Sequence, residues 1–263
     1  MKIESLVKKA QEAMNKMGAQ LKVDGKWGPK TTNEAENYQF KVEAIADIIS
    51  SPLIIDNDDL NKVIEPTFVV LSQFEYVDRG HYNTSSGKFK GLTVHSTIGG
   101  RTSNSAKGVV EYLKGKGYGC MVMDENGIIY IPKNFDVLKN WGYHSGVSKW
   151  KGIKNVSDHF AGMEICCWGK DSKVGPFRNV KTSDGYIVSG KYQEYTEAQE
   201  KSLINFILWA KSKNSEFDLD YVVGHDELRK EAGKLGDKQD PGGSLSMTMS
   251  AFRELIKQKA SGI

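Results

Sequence analysis

Long apolar runs are missing from this sequence. No stretch approaches the roughly 18 uninterrupted apolar residues that a membrane-spanning helix requires. The opening MKIESLVKKAQEAMNK has neither a continuous apolar segment nor a small-residue cleavage site. The expectation is a protein without a membrane span, made and held in the cytoplasm. Cysteine is scarce as well. Cys120, Cys166 and Cys167 make an odd count with no framework spacing, which argues against a disulfide-stapled scaffold and predicts free thiols. Cys166 and Cys167 adjoin in an apolar run and read as small core residues on opposite faces of a strand. Charge of one sign is also lacking: 36 basic against 33 acidic residues leave +3, with the two signs interspersed. That is no footprint for nucleic acid. With 39% hydrophobic and 26% charged residues, the composition is that of a globular chain of one or two domains.

What is present falls into two blocks. Leu6, Val7, Ala10, Ala13, Met14 and Met17 recur at helical spacing, and Gly18 suits the end of that helix. Asp24-Gly25 and Gly28-Pro29 are turn chemistry. Thr31 reads as the N-cap of a second helix, with Glu34 as its capping-box partner. A third apolar stretch, VEAIADIIS, precedes Pro52. The acidic segment IIDNDDLNKVIEP marks a boundary, giving a small helical domain over 1–60 and a larger one over 61–263. In the larger block, short β-rich runs (FVVLSQFEYV, GLTVHST, YGCMVMD, GIIYIP, GMEICCWG) alternate with helical patterns (SAKGVVEYLKG, YTEAQEKSLINFILWAKSKN, SMTMSAFRELIKQK). The fold class is therefore α/β, with a mixed sheet flanked by helices.

Histidine is rare enough, at five residues, to be considered one by one. His95 ends the strand-like run GLTVHST, His225 follows the strand-like YVVG, and Asp240 lies in KQDPGG. Two strand-end histidines and a loop carboxylate suit a catalytic zinc, which takes three protein ligands and leaves one position open. Each residue also has an ordinary reading: a packed histidine, or an aspartate serving a Pro-Gly turn. Spacing alone does not choose between them.

The surrounding words are more specific. GLTVHST, GYGCMVMDENGIIY, WGYHSGVSKWKG, GMEICCWG, VVGHDEL and KQDPGG occur in order across about 150 residues. Together they resemble the zinc N-acetylmuramoyl-L-alanine amidases of phage and bacteria, the family that includes the animal peptidoglycan-recognition proteins. The resemblance implies one Zn2+ held by His95, His225 and Asp240. It implies catalytic roles for Glu164, Lys238 and Tyr118, and a groove lined by His144. The implied substrate is bacterial peptidoglycan, cut at the amide between N-acetylmuramic acid and the L-alanine of the stem peptide.

Zinc lowers the pKa of bound water from about 16 to about 7 and polarises a carbonyl. Glu164 would orient the water and take its proton, Lys238 would face the developing oxyanion, and Tyr118 would add a hydrogen bond. The plain alternatives are an edge-strand carboxylate for Glu164, a solvated loop lysine for Lys238, hairpin packing for Tyr118 and a surface ring for His144. Two departures stand out. Gly119 follows Tyr118 where the family often has histidine. The segment over 169–194 is longer than usual and reads as a hairpin or a lid over the groove, or as an ordinary loop insertion. His81 and His159 match no motif and read as structural or exposed.

Val7, Gln11, Met14, Gly18, Val23, Asp24, Gly25, Gly28, Thr31, Ala35 and Gln39 resemble the peptidoglycan-binding module found at the ends of many wall hydrolases. Asp24-Gly25 and Gly28 would be structural there, and Trp27 would stack on a sugar ring or pack on the second helix. A tethered wall binder raises the local concentration of substrate. The combined expectation is a monomeric phage endolysin, held in the host cytoplasm until it is released to the wall. The rival readings are a non-catalytic recognition protein and a zinc peptidase cutting within the stem.

Overall fold

The computed structural model describes residues 7–8, 11, 15, 21–26, 30–31, 63–77, 89–119, 121–140, 142–180 and 187–261. The chain divides into two compact units, Met1–Lys62 and Val63–Ile263.

In the first unit the described residues centre on Gln11, which is buried. Its side-chain oxygen accepts from the backbone N–H of Asp24 and Gly25 at 3.1 and 3.0 Å. Its amide donates to the Lys26 carbonyl at 3.0 Å and to the Asp24 carboxylate at 3.2 Å. One glutamine thus satisfies a whole turn, which Gly25 enters with φ +73°. Thr31 departs from expectation. It is already helical, as is Lys30, and its hydroxyl faces Gln11 rather than capping a helix start. Trp27 and most of the first and second expected helices lie outside the described residues, as do Cys120 and His81.

The second unit is built on a six-stranded sheet in the order β1-β4-β3-β7-β2-β10. Its strands are β1 (Phe68–Glu75), β2 (Gly91–Ser96), β3 (Met121–Met123), β4 (Ile129–Lys133), β7 (Phe160–Ile165) and β10 (Val222–Gly224). Neighbours are parallel except for the β3–β4 hairpin. Two small antiparallel pairs lie outside it: β5 (Lys149–Trp150) with β6 (Ile153–Lys154), and β8 (Phe177–Val180) with β9 (Gly190–Gln193). The helices are α1 (Ser103–Lys114), α2 (Glu197–Lys213), α3 (His225–Glu231) and α4 (Met249–Ala260). This is the mixed α/β architecture expected. Among the described residues no helix is long and apolar enough to cross a membrane.

Strand alternation sorts the central strands into two faces. Leu92 and Val94 of β2, with Ala161, Met163 and Ile165 of β7, enter the main core. Ala106, Val110 and Leu113 of α1, Phe206 and Ile207 of α2, and Phe252 and Ile256 of α4 join the same cluster. Each of these side chains other than the alanines contributes about 1.5–3 kcal/mol of burial free energy. The alternate residues, His95 on β2 and Gly162 and Glu164 on β7, point to the other face. Residues of β2 are all buried, as a parallel strand covered on both faces must be.

The helix starts follow from capping. Thr102, Thr196 and Thr248 each accept a backbone N–H from the first turn of α1, α2 and α4. The short helix α3 was not apparent in the sequence. Its Glu227 accepts the backbone N–H of Gly224 at 3.0 Å and forms a buried two-point pair with Arg253 at 2.7 and 2.8 Å. Cys166 and Cys167 lie just past the end of β7 rather than within it, and both are fully buried free thiols.

Candidate metal centre and its cavity

His95 reaches the site from the end of β2, and His225 from the junction where β10 turns into α3. Asp240 comes from the loop beyond α3. Its backbone carbonyl accepts the N–H of Asp226 at 2.9 Å, tying that loop to the start of α3. The three side chains converge although 130 and 145 residues separate His95 from its partners. His95 Nδ1 is 3.1 Å from His225 Nδ1, and each of these nitrogens is 3.3 Å from Asp240 Oδ2. Ligand atoms about 2.0–2.1 Å from a tetrahedral zinc lie about 3.3–3.4 Å apart. The observed triangle has that size, and its donor types suit the ion. These are the three residues among those described that could hold a metal together.

The electrostatics favour ligation. Burial, then the charge of His225, holds His95 down to about 4, so its imidazole is neutral. Burial alone would raise Asp240, but His225, through its charge and its hydrogen bond, outweighs it and keeps the carboxylate ionised.

Around the triangle lies a cavity of about 750 Å³, within the usual range for a ligand site. Glu164 opens into it from the middle of the sheet, in register with His95 on one side and Val122 on the other. Glu164 is therefore not an edge residue. Burial, then the negative charge of Asp240, pushes its carboxyl up to about 8, opposed by Lys238. Lys238 is exposed at the cavity wall, with its charge acting on both Glu164 and His95. Tyr118 also lines the cavity. It bridges in parallel to Tyr143, and their rings lie 5.9 Å apart. Gly142, at φ +59°, makes that approach possible, because a Cβ there would fall 2.4 Å from the carbonyl carbon of Tyr118.

His144 lines the cavity too, yet both ring nitrogens are engaged within the protein. Nδ1 is 3.0 Å from His95 Nε2, and Nε2 is 2.8 Å from the Phe160 carbonyl. Its position is not that of a surface ring. His159 takes no part in the site. Trp27 lies outside the described residues.

Two features escaped the sequence reading. Arg229 stands four residues after His225 on the same face of α3. It donates to the Val147 carbonyl and to the Asp237 carboxylate, joining the loop before β5 to the loop that carries Lys238 and Asp240. Its signal was the four-residue spacing from a candidate ligand. The second is a hydroxyl knot. Ser157 accepts the backbone N–H of both His144 and Ser145 at 3.2 and 2.9 Å, and Ser148 accepts that of Val156 at 2.9 Å. Nothing in the composition of SGVSKW and NVSD signalled that pairing.

The long 169–194 segment forms a hairpin, and among the described residues none of it lines the cavity. It packs behind the Asp240 loop instead. Tyr192 is fully buried against Gly242 and Gly243, and Arg178 donates to the carbonyls of Gly243 and Leu245. The lid reading falls on the hairpin tip, residues 181–186, which lie outside the described residues.

The profile of the N-acetylmuramoyl-L-alanine amidase family matches residues 85–243, more than half of the chain. No curated protein matches. Several solved structures are similar. A selenomethionine derivative of AmpD is 19% identical over 70% of this chain and 95% of its own, with a TM-score of 0.44. The N-acetylmuramyl-L-alanine amidase AmiD from E. coli, in complex with a substrate, is 16% identical over 72% of this chain and 66% of its own, at 0.41. The endolysin amidase LysCS from Clostridium intestinale is 15% identical over 76% and 99%, at 0.41.

Proposed function

The chain belongs to the N-acetylmuramoyl-L-alanine amidase family, and from that premise we propose that it is a zinc-dependent peptidoglycan hydrolase cutting between N-acetylmuramic acid and the L-alanine of the stem peptide. The observation that carries the zinc reading is the triangle of His95 Nδ1, His225 Nδ1 and Asp240 Oδ2, at 3.1–3.3 Å, on the wall of an open cavity. Zinc held there supplies an acidified water and a polarised carbonyl.

The protein's own groups divide the remaining work. Glu164, on the same sheet face as His95, orients the water and takes its proton. Ionisation of so buried a carboxylate needs positive charge nearby, and Lys238 provides some of it. Lys238 also faces the oxyanion that develops on the scissile carbonyl. Tyr118, which also lines the cavity, is a further hydrogen-bond donor. The exposed Ile98, Tyr112 and Val147 line the same cavity and offer apolar contact to the lactyl and alanyl methyl groups and to a sugar face.

The N-terminal unit is proposed as a wall-binding module and the whole as a monomeric endolysin of phage type. The order of motifs, binder before catalyst, supports that reading. Removing residues 1–62 should weaken sedimentation with purified walls while leaving a folded, active catalytic unit.

Product analysis tests bond, metal and activity together. Purified peptidoglycan is digested with and without chelator, and the products are read by mass spectrometry. Free stem peptides beginning at L-alanine, lost on chelation, are expected. Shortened stems on intact muramic acid would make the protein a peptidase, and no release by zinc-replete protein would make it a recognition protein.

A further inference from the structure

We propose that His144 is a positioning residue that sets the tautomer of His95 and thereby aims the His95 Nδ1 lone pair at the metal; the proposal rests on the zinc reading above.

The argument begins at a backbone carbonyl. The Phe160 oxygen can only accept, so His144 Nε2, 2.8 Å away, must carry a proton and donate it. A neutral imidazole has one N–H, so His144 Nδ1 is then a bare acceptor. His95 Nε2, 3.0 Å from that acceptor, must in turn be the protonated nitrogen of its own ring. His95 Nδ1 is thereby left with its lone pair free, and it is the atom that lies 3.1 Å from His225 Nδ1 and 3.3 Å from Asp240 Oδ2. One carbonyl orders three ring nitrogens in sequence.

The seat of the ring is built for this. His144 lies over Gly162 on β7, where a Cβ would fall 2.7 Å from its Cγ. Only glycine leaves room for the ring between the strand and His95. Phe160, which supplies the carbonyl, is two residues earlier on the same strand. The His144 backbone N–H is held by Ser157 Oγ at 3.2 Å. The rings of His95 and His144 meet edge to face, with centroids 5.2 Å apart. Ring, backbone and both nitrogens are therefore constrained by different neighbours, as expected of a side chain whose orientation matters more than its contact with solvent.

With a mobile or absent partner at Nε2, His95 can place its proton on Nδ1 and block its own ligand atom. Losing an outer partner of this kind typically weakens metal binding by about 10–100-fold. A groove residue that touches only substrate would leave metal affinity unchanged.

The test uses the full chain and zinc alone. Imidazole ¹⁵N–¹H correlation spectra of the metal-free wild type report the tautomers directly. Nε2–H on both His95 and His144 is expected, and Nδ1–H on either ring overturns the proposal. Zinc dissociation constants are then measured by chelator competition for wild type, His144→Phe and His144→Asn. The phenylalanine keeps a ring without nitrogens, whereas the asparagine can place an oxygen where Nδ1 stood. A loss of about 10–100-fold in His144→Phe, largely restored in His144→Asn, is expected. A folded His144→Phe with wild-type zinc affinity overturns it. If the wild type binds no zinc, the zinc reading fails by itself, while the tautomers are still read in the metal-free chain.

Discussion

His95 and Glu164 are register partners on the neighbouring parallel strands β2 and β7. Side chains paired in this way stand side by side on one face of the sheet. A candidate metal ligand and a carboxylate are thus held at fixed spacing by backbone hydrogen bonds rather than by a flexible loop. Gly162, two residues before Glu164 on that face, leaves the space that His144 fills.

Replacing any of His95, His225 or Asp240 by alanine should abolish zinc binding and amidase activity together, because each supplies one corner of the same triangle. Elemental analysis of the purified variants is the measurement. About one zinc per chain retained in all three would show that the ion is held elsewhere.

Glu164→Gln should keep zinc but slow turnover by about 10²–10⁴-fold, the usual loss when a general base is removed. Rates on purified peptidoglycan, beside zinc content, decide the matter. An unimpaired rate would leave Glu164 with a structural role alone.

The same substitution has a pH signature in the metal-free chain. Folded Glu164 keeps its proton up to about 8, against 4.5 for an ordinary glutamic acid. Between those values the folded state binds more protons than the unfolded one, so this group costs stability as pH rises through the window. Below it the group is protonated in both states and contributes nothing. Urea unfolding in chelator should show Glu164→Gln gaining on wild type from about pH 5 to about pH 8, and a constant difference at lower pH. Parallel curves throughout would contradict the shift.

Gly243→Ala should destabilise the Asp240 loop. Its Cβ would lie 2.6 Å from Tyr192 Cδ2 and 2.7 Å from Val180 Cγ2, and Tyr192 is fully buried. Overpacking of this kind costs about 1–3 kcal/mol, or a fall in Tm of about 2–4 °C per kcal/mol for a domain of this size. Calorimetry of the zinc-free protein reads it, and an unchanged Tm would show that the hairpin gives way.

Cys166 should resist alkylation in the folded protein. Burial pushes its thiol up to about 12, and Cys167 is raised for the same reason. Iodoacetamide labelling at neutral pH, mapped by peptide mass spectrometry, should modify both only after unfolding. Rapid native labelling of either would show that the region past β7 opens.

The sequence by itself determined the fold class, the central strands and the three long helices of the larger unit, but not the short helix α3. The β-rich character of GLTVHST and GMEICCWG and the apolar spacing of the long helices are local properties that each segment carries alone. It also nominated His95, His225 and Asp240, through motifs whose order in the chain is as informative as their content. Tertiary structure alone decided what those residues face. Strand register put Glu164 beside His95, since register is a relation between two segments and neither contains it. A carbonyl on β7 ordered the nitrogens of His144, because a tautomer depends on neighbours brought together by folding. The hairpin strands Phe177–Val180 and Gly190–Gln193 went behind the Asp240 loop. The fit of Tyr192 against two glycines settled that, and complementarity of this kind exists only between surfaces already in contact.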